Sequence, residues 1–142
     1  MSPRSTCPLG RRGMLAAVAT VLAGFLAGCS SDPSFSDADV IAGPGGDPVF
    51  DPAELTVSVG TTVTWGFASA GHNVSCRPDN NERVALPDEA DPFASYGAEE
   101  SPEGSVVPRN ETYEHTFDVE GEYVYVCIPH VSQGMVGTIH VE

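Results

Sequence analysis

Within nine residues near its C-terminal end the chain places Cys127, His130 and Met135, in the stretch YVYVCIPHVSQGMVGTIHVE (residues 123 to 142). A thiolate, an imidazole and a thioether on one short turn between two apolar strands form a soft donor set, and together they select for copper. A site of two histidines, one cysteine and a weak axial methionine needs a second histidine, and the chain offers His72, His115 and His140. His72 stands in Ala70-Gly71-His72-Asn73-Val74, where a strand pattern ends in a turn, so its side chain is free to point toward a neighbouring loop. His115 alternates with Tyr113 and Phe117 and is expected to share their packed face. His140 alternates with Val136 and Thr138 and is expected on the surface. A methionine ordinarily fills gaps in a core. Met135, however, follows Gly134 at a fixed distance from Cys127 and His130, which favours a ligand.

Cys127 could instead pair with Cys76 in a disulfide, which an exported context permits. That pairing would leave His130 and Met135 without a purpose. If Cys127 holds a metal, Cys76 is left as a lone thiol, expected to be buried and inert. Its place four residues after His72 keeps a minor role near the site open.

The elements that must position these donors are strands. Leu55, Val57 and Val59 alternate with polar residues before Gly60, and Val63, Trp65 and Phe67 follow. Tyr113, His115 and Phe117 repeat the pattern, as do Tyr123 with Tyr125 and Ile139 with Val141. Period-two alternation bounded by turn residues predicts half-buried strands. From Arg77 to Pro108 runs RPDNNERVALPDEADPFASYGAEESPEGSVVP, a long excursion rich in proline and acid, of the kind that is often functional or mobile. A short helix is expected within it, around Asp91 to Tyr96. The sum is an all-β chain: an antiparallel β-sandwich of roughly seven or eight strands with one long loop.

The first 28 residues read as an address. Arg11-Arg12 precede an apolar run of 15 residues, Met14 to Gly28, that ends in Leu26-Ala27-Gly28-Cys29. This is shorter than the roughly 20 residues that span a bilayer as a helix. The paired arginines resemble a twin-arginine export signal, and Leu-Ala-Gly-Cys resembles a lipobox in which Cys29 carries lipid. An uncleaved, slightly short membrane anchor is the alternative. Either way the domain is expected outside the cell, tied to the membrane. Residues 29–38 are small, polar and acidic and are expected to be a flexible lipid-anchored tether, leaving residues 39–142 as one domain.

After Cys29 stand three arginines, no lysine and all 20 acidic residues, a net charge of −17. The sign alone excludes nucleic acid as a partner. Such acidity suits very salty water, where a Debye length of only ~3 Å at 1 M screens the self-repulsion. An acidic docking face for a basic partner is the other reading.

Cys127-Ile-Pro-His130-Val-Ser-Gln-Gly-Met135 resembles the ligand loop of plastocyanin-like cupredoxins. Phe50 to Trp65, leading to Gly71-His72-Asn73, is similar to their N-terminal strand pair. With the lipobox, the twin arginines and the acidic, lysine-free domain, the chain resembles most of all the halocyanins of haloarchaea. The resemblance covers residues 48 to 76 and 109 to 142 and gives no guidance for the loop between.

The resemblance implies a cupredoxin-like Greek-key fold and one copper, cycling Cu(I)/Cu(II), on His72, Cys127, His130 and Met135. It implies that Asn73 ties the His72 segment to the Cys127 loop by hydrogen bonds. It also implies that the His130 ring edge meets solvent through an apolar patch, which Ile128, Pro129, Val131 and Gly134 could supply. Pro129 should stiffen the loop just before His130. Asn73-Val-Ser75 and Asn110-Glu-Thr112 are both glycosylation sequons. Asn110 is the expected one, since sugar on Asn73 would crowd the metal.

Multicopper oxidases flank the corresponding cysteine with histidines, whereas Cys127 lies between Val126 and Ile128. The reading is therefore an electron carrier and not an enzyme; the resemblance implies membrane-bound donor and acceptor proteins as its partners, and a monomer is expected. Copper storage or delivery with the same ligands, and a lipid-anchored sandwich without metal, remain the other readings.

Overall fold

The alternating stretches become strands because aromatic and β-branched side chains at every second position can all be buried on one face of a pleat. In the computed structural model, which describes residues 35–142, the strands are β1 (Val40–Ala42), β2 (Phe50–Asp51), β3 (Glu54–Val57), β4 (Thr61–Phe67), β5 (Ser75–Cys76), β6 (Phe93–Ala94), β7 (Thr112–Phe117), β8 (Gly121–Val126) and β9 (Val136–Val141). They form a four-stranded sheet in the order β2-β1-β4-β7 and a five-stranded sheet in the order β3-β9-β8-β5-β6. The inner faces of both sheets supply one core. Among the described residues no helix is long and apolar enough to cross a membrane.

The all-β sandwich expected from the alternation is present, with nine strands and with two pairings that are parallel. β1 runs parallel to β4, Val40 opposite Trp65, and β3 runs parallel to β9, Leu55 opposite Ile139. Parallel neighbours need a long connection between them. The chain provides it by sending β2 and β3 between β1 and β4, with β3 crossing to the other sheet. Both sheets are therefore mixed, and not purely antiparallel.

Val63, Trp65 and Phe67 of β4 are fully buried, while Thr62 and Thr64 face outward. Trp65 is the hub of the core. Tyr125 meets it edge-on with ring centres 5.4 Å apart, and Tyr113, Phe93 and Phe117 surround it at 5.6 to 6.4 Å. Such aromatic contacts contribute about 0.5–1.5 kcal/mol each beyond area burial. Val59 does not continue its strand. β3 stops at Val57, and the Ser58–Gly60 turn leaves Val59 exposed.

The long excursion differs from expectation. No helix forms around Asp91 to Tyr96; Phe93–Ala94 instead pairs with β5 as an edge strand. The reason is packing, because Val84, Phe93 and Tyr96 are all buried and tie the segment onto the sandwich. Ala85 also exchanges backbone hydrogen bonds with Val124 at 3.1 and 2.8 Å.

The tether expected over 29–38 is also corrected at its described end. Residues 35–38 form a turn, closed by the Ala38 N–H on the Phe35 carbonyl at 3.0 Å. The Phe35 ring lies directly on Gly66, where any Cβ would collide with it. An aromatic ring and a bare backbone face make a better fit than a solvated linker. The expected export signal, the expected lipid attachment at Cys29 and residues 29–34 lie outside the described residues.

Candidate metal centre

Strands β4 and β8 run toward one end of the sandwich, and the donors lie just beyond them. Cys127 follows β8, and the chain then turns through a 3₁₀ segment, Ile128–Gln133, before β9. Pro129 sits in the first turn of that segment, where its fixed φ and missing N–H are compatible with the helix start. The Cys127 carbonyl accepts the His130 N–H at 3.1 Å, and the Met135 carbonyl accepts the Cys127 N–H at 3.1 Å. Gly134 closes the turn at φ 89°, a left-handed conformation open to glycine at little cost. One short loop thus presents a thiol, an imidazole and a thioether on a frame of its own hydrogen bonds.

His72 lies beyond β4, fixed by a backbone bridge in which its carbonyl accepts the Val107 N–H at 2.9 Å. The Cys127 Sγ stands 3.8 Å from His72 Nδ1 and 3.5 Å from His130 Nδ1. These three donor atoms all lie within 4.8 Å of one another. Cys127, His72 and Met135 are buried and His130 is half-buried, so one ring of the group reaches toward solvent. His130 packs against His72 with ring centres 4.7 Å apart. Met135 is fully buried at the end of the same loop.

Electrostatics favour a neutral His72 and a protonated Cys127 in the metal-free protein. Burial lowers the pKa of His72, and the neighbouring His130 lowers it further. Burial raises that of Cys127, opposed by hydrogen bonds from backbone N–H groups of Asn73 and His130. The Asn73 N–H points at the sulfur at 3.5 Å, a contact that favours a thiolate.

Asn73 does more than link two segments. Its Oδ1 accepts the Ile128 N–H at 2.9 Å, and its Nδ2 donates to the carbonyls of Pro102 and Ser105 at 2.8 and 3.0 Å. The side chain therefore clamps the His72 segment, the cysteine loop and the long excursion together. Being fully buried and spent in these bonds, it is a poor glycan acceptor; Asn110 is exposed.

The disulfide reading is excluded, since Cys76 and Cys127 are both free and buried. Cys76 lies against the carbonyls of Ala85 and Val124, away from the donors, and burial pushes its pKa up to about 12. His115 is structural, stacked on Phe93 at 3.8 Å between ring centres. His140 sits at the surface between Glu54 and Glu122, at 3.5 and 3.7 Å.

Two participants escape the sequence reading. Ser69 Oγ lies 3.0 Å from His72 Nε2, and the hydroxyl reaches the Gly43 carbonyl at 2.7 Å. Gly43 packs against the same ring, and a Cβ there would collide with Ser69 Oγ and His72 Nε2. The Gly43-Pro44-Gly45-Gly46 run signals a turn, but nothing in it signals a histidine 29 residues away.

Residues 38–142 match the model of the family described as copper binding proteins, plastocyanin/azurin family. The chain belongs to this family. A halocyanin of Natronomonas pharaonis is 41% identical over 106 residues, covering 72% of this chain and 55% of the halocyanin. The chain thus spans about half the length of that relative. A plastocyanin of Scenedesmus fuscus is 33% identical over 95 residues, 66% of this chain and 87% of the plastocyanin. Among solved structures, pseudoazurin from Methylobacterium extorquens AM1 superimposes with a TM-score of 0.51 at 31% identity, covering 72% of each chain. The donor set fits the ion that the family binds. A buried sulfur with two imidazole nitrogens inside 4.8 Å suits copper and no hard cation.

Proposed function

We propose that the chain is a type 1 (blue) copper electron-transfer protein, tethered by lipid at Cys29 to the outer face of the cell membrane. It would pass single electrons between membrane redox proteins there. His72, Cys127, His130 and Met135 would hold the copper, with the Met135 thioether as the weakest of the four donors. The observation that carries the reading is the cluster itself: one buried sulfur and two imidazole nitrogens that lie within 4.8 Å of one another.

Bound copper would supply one-electron chemistry, alternating between Cu(I) and Cu(II). The residues supply what makes that exchange fast. Cys127 and His130 are fixed by the hydrogen bonds of their own loop, and His72 by its bridge to Val107. Donors that cannot relax toward either preferred geometry keep the reorganisation cost low. Burial of Cys127 and Met135 excludes water as a competing ligand. The partly exposed His130 ring offers the short way in and out for the electron.

The test is a visible spectrum of the oxidised, copper-loaded domain, together with voltammetry and self-exchange measured by NMR line broadening. An intense visible thiolate-to-copper band, a reversible one-electron couple and rapid self-exchange are expected. A colourless copper complex would overturn the reading. A coloured one with slow exchange would make the protein a copper store. Intact mass of membrane-extracted protein should show loss of residues 1–28 and added acyl chains; an unprocessed mass would remove the anchor.

A further inference from the structure

The Ser69 hydroxyl has a single proton to give and two neighbours that could take it. On one side is the Gly43 carbonyl oxygen at 2.7 Å, on the other His72 Nε2 at 3.0 Å. Two oxygens 2.7 Å apart repel unless a proton lies between them, and a carbonyl has none to offer. The serine proton therefore lies toward Gly43. That carbonyl also accepts the Gly46 N–H at 3.0 Å, and its two lone pairs accommodate both donors. Ser69 Oγ then faces the ring with lone pairs only, so Nε2 must carry the hydrogen. A neutral imidazole holding its proton on Nε2 has its free lone pair on Nδ1. Nδ1 is the atom 3.8 Å from the Cys127 sulfur.

We propose that the Gly43–Ser69 pair fixes the tautomer and orientation of His72, making Ser69 a positioning residue for the metal centre. The order of donors is set outside the donor cluster and delivered to it through one ring. Gly43 contributes twice, by the carbonyl that commits the serine proton and by the missing Cβ that lets its backbone approach the imidazole. Its φ of 72° is in the left-handed region, so a side chain there would be strained as well as obstructed. The consequence for copper rests on the function proposed above; the tautomer does not.

Long-range proton–nitrogen correlation NMR of the metal-free domain, at a pH where the imidazoles are neutral, reads the tautomer directly. In the parent protein His72 should show a protonated Nε2 and a bare Nδ1. Ser69→Ala should give a mixture of tautomers, and Ser69→Thr, which keeps the hydroxyl, should restore the parent pattern. Competition titrations with a Cu(I) chelator should show affinity reduced about 10–100-fold by Ser69→Ala, the usual range for partners that orient a ligand. Ser69→Thr should recover most of it. An Nδ1–H tautomer in the parent, a single unchanged tautomer in Ser69→Ala, or equal affinity in the two proteins would overturn the proposal. The tautomer needs no copper, so a parent that gives the Nε2–H pattern but no blue band would refute the electron-carrier reading alone.

Discussion

Cys127 and Met135 are both sulfur donors on one loop, yet their chemistry assigns them different work. In the proposed centre Cys127 would be the anionic, strongly covalent donor, and charge transfer from its sulfur to Cu(II) would make the colour. Cys127→Ser offers a harder oxygen and should abolish the visible band even where copper still binds. Met135 would be the weaker donor, so its loss should leave His72, Cys127 and His130 to hold the metal. Met135→Leu keeps the pocket dry while removing a donor, which disfavours the more highly charged Cu(II), and the potential should rise. Met135→Gln supplies a harder oxygen, and the potential should fall. Voltammetry should order the proteins Leu above Met above Gln, each ~59 mV being a tenfold change in a one-electron equilibrium. Identical potentials in all three would make Met135 a packing residue. These donors were legible in the sequence because their chemistry travels with the side chain, and three of them share nine residues. Ser69 and Gly43 were not. A serine three residues before a histidine has no meaning until the fold brings a carbonyl from 26 residues upstream against its hydroxyl.

At the scale of elements, the same distinction decides what alternation can reveal. β4, β7, β8 and β9 are six or seven residues long, enough for the period of two to repeat visibly. β2, β5 and β6 have two residues each, and no pattern fits in two residues. Pairing direction was equally hidden, because hydrogen-bond partners lie far apart in the chain. The long excursion was misread for a related reason. Its prolines and acids dominate the composition, while its attachment depends on single residues such as Phe93, which packs on Trp65, His115 and Phe117. Phe93→Ala should therefore cost about 3–5 kcal/mol of stability. It should also speed amide hydrogen exchange across residues 77–108 more than in β8 or β9. Because Pro102 and Ser105 of that excursion hold the Asn73 amide, copper affinity should weaken in parallel. A uniform increase in exchange over the whole domain would mean that the excursion is no separate unit. An unchanged rate would mean that Phe93 does not hold it.

For the molecule as a whole, proton linkage and charge set the stability limits. Burial raises the Cys76 thiol from its ordinary 9.0 to about 12. Above pH 9 the unfolded chain releases a proton that the folded one keeps, so this contribution is complete below that pH and is lost as pH rises toward 12. The loss is about 1.4 kcal/mol per pH unit within the window. In denaturant titrations of metal-free protein, Cys76→Ala should lose stability less steeply than the parent above pH 9, and parallel slopes would remove the thiol from the account. Charge acts more broadly. Among the described residues the close contacts between basic and acidic side chains are both those of His140, and Arg77 and Arg109 donate to the backbone carbonyls of Tyr96 and Ala68. The acidic side chains of the described residues therefore have no arginine within salt-bridge distance. Their mutual repulsion reaches ~10 Å at 0.1 M salt but only ~3 Å at 1 M, and compaction brings them closer than they are in the unfolded chain. The midpoint of thermal unfolding of the metal-free domain should rise steadily as sodium chloride is raised across that range. Copper binds the folded state, so the loaded domain should start higher, by about 2.7 kcal/mol at a free concentration 100 times Kd. The two curves should then run roughly parallel, because the metal site contributes little to the surface charge. A midpoint indifferent to salt would show that the acidity is not a stability variable in this domain.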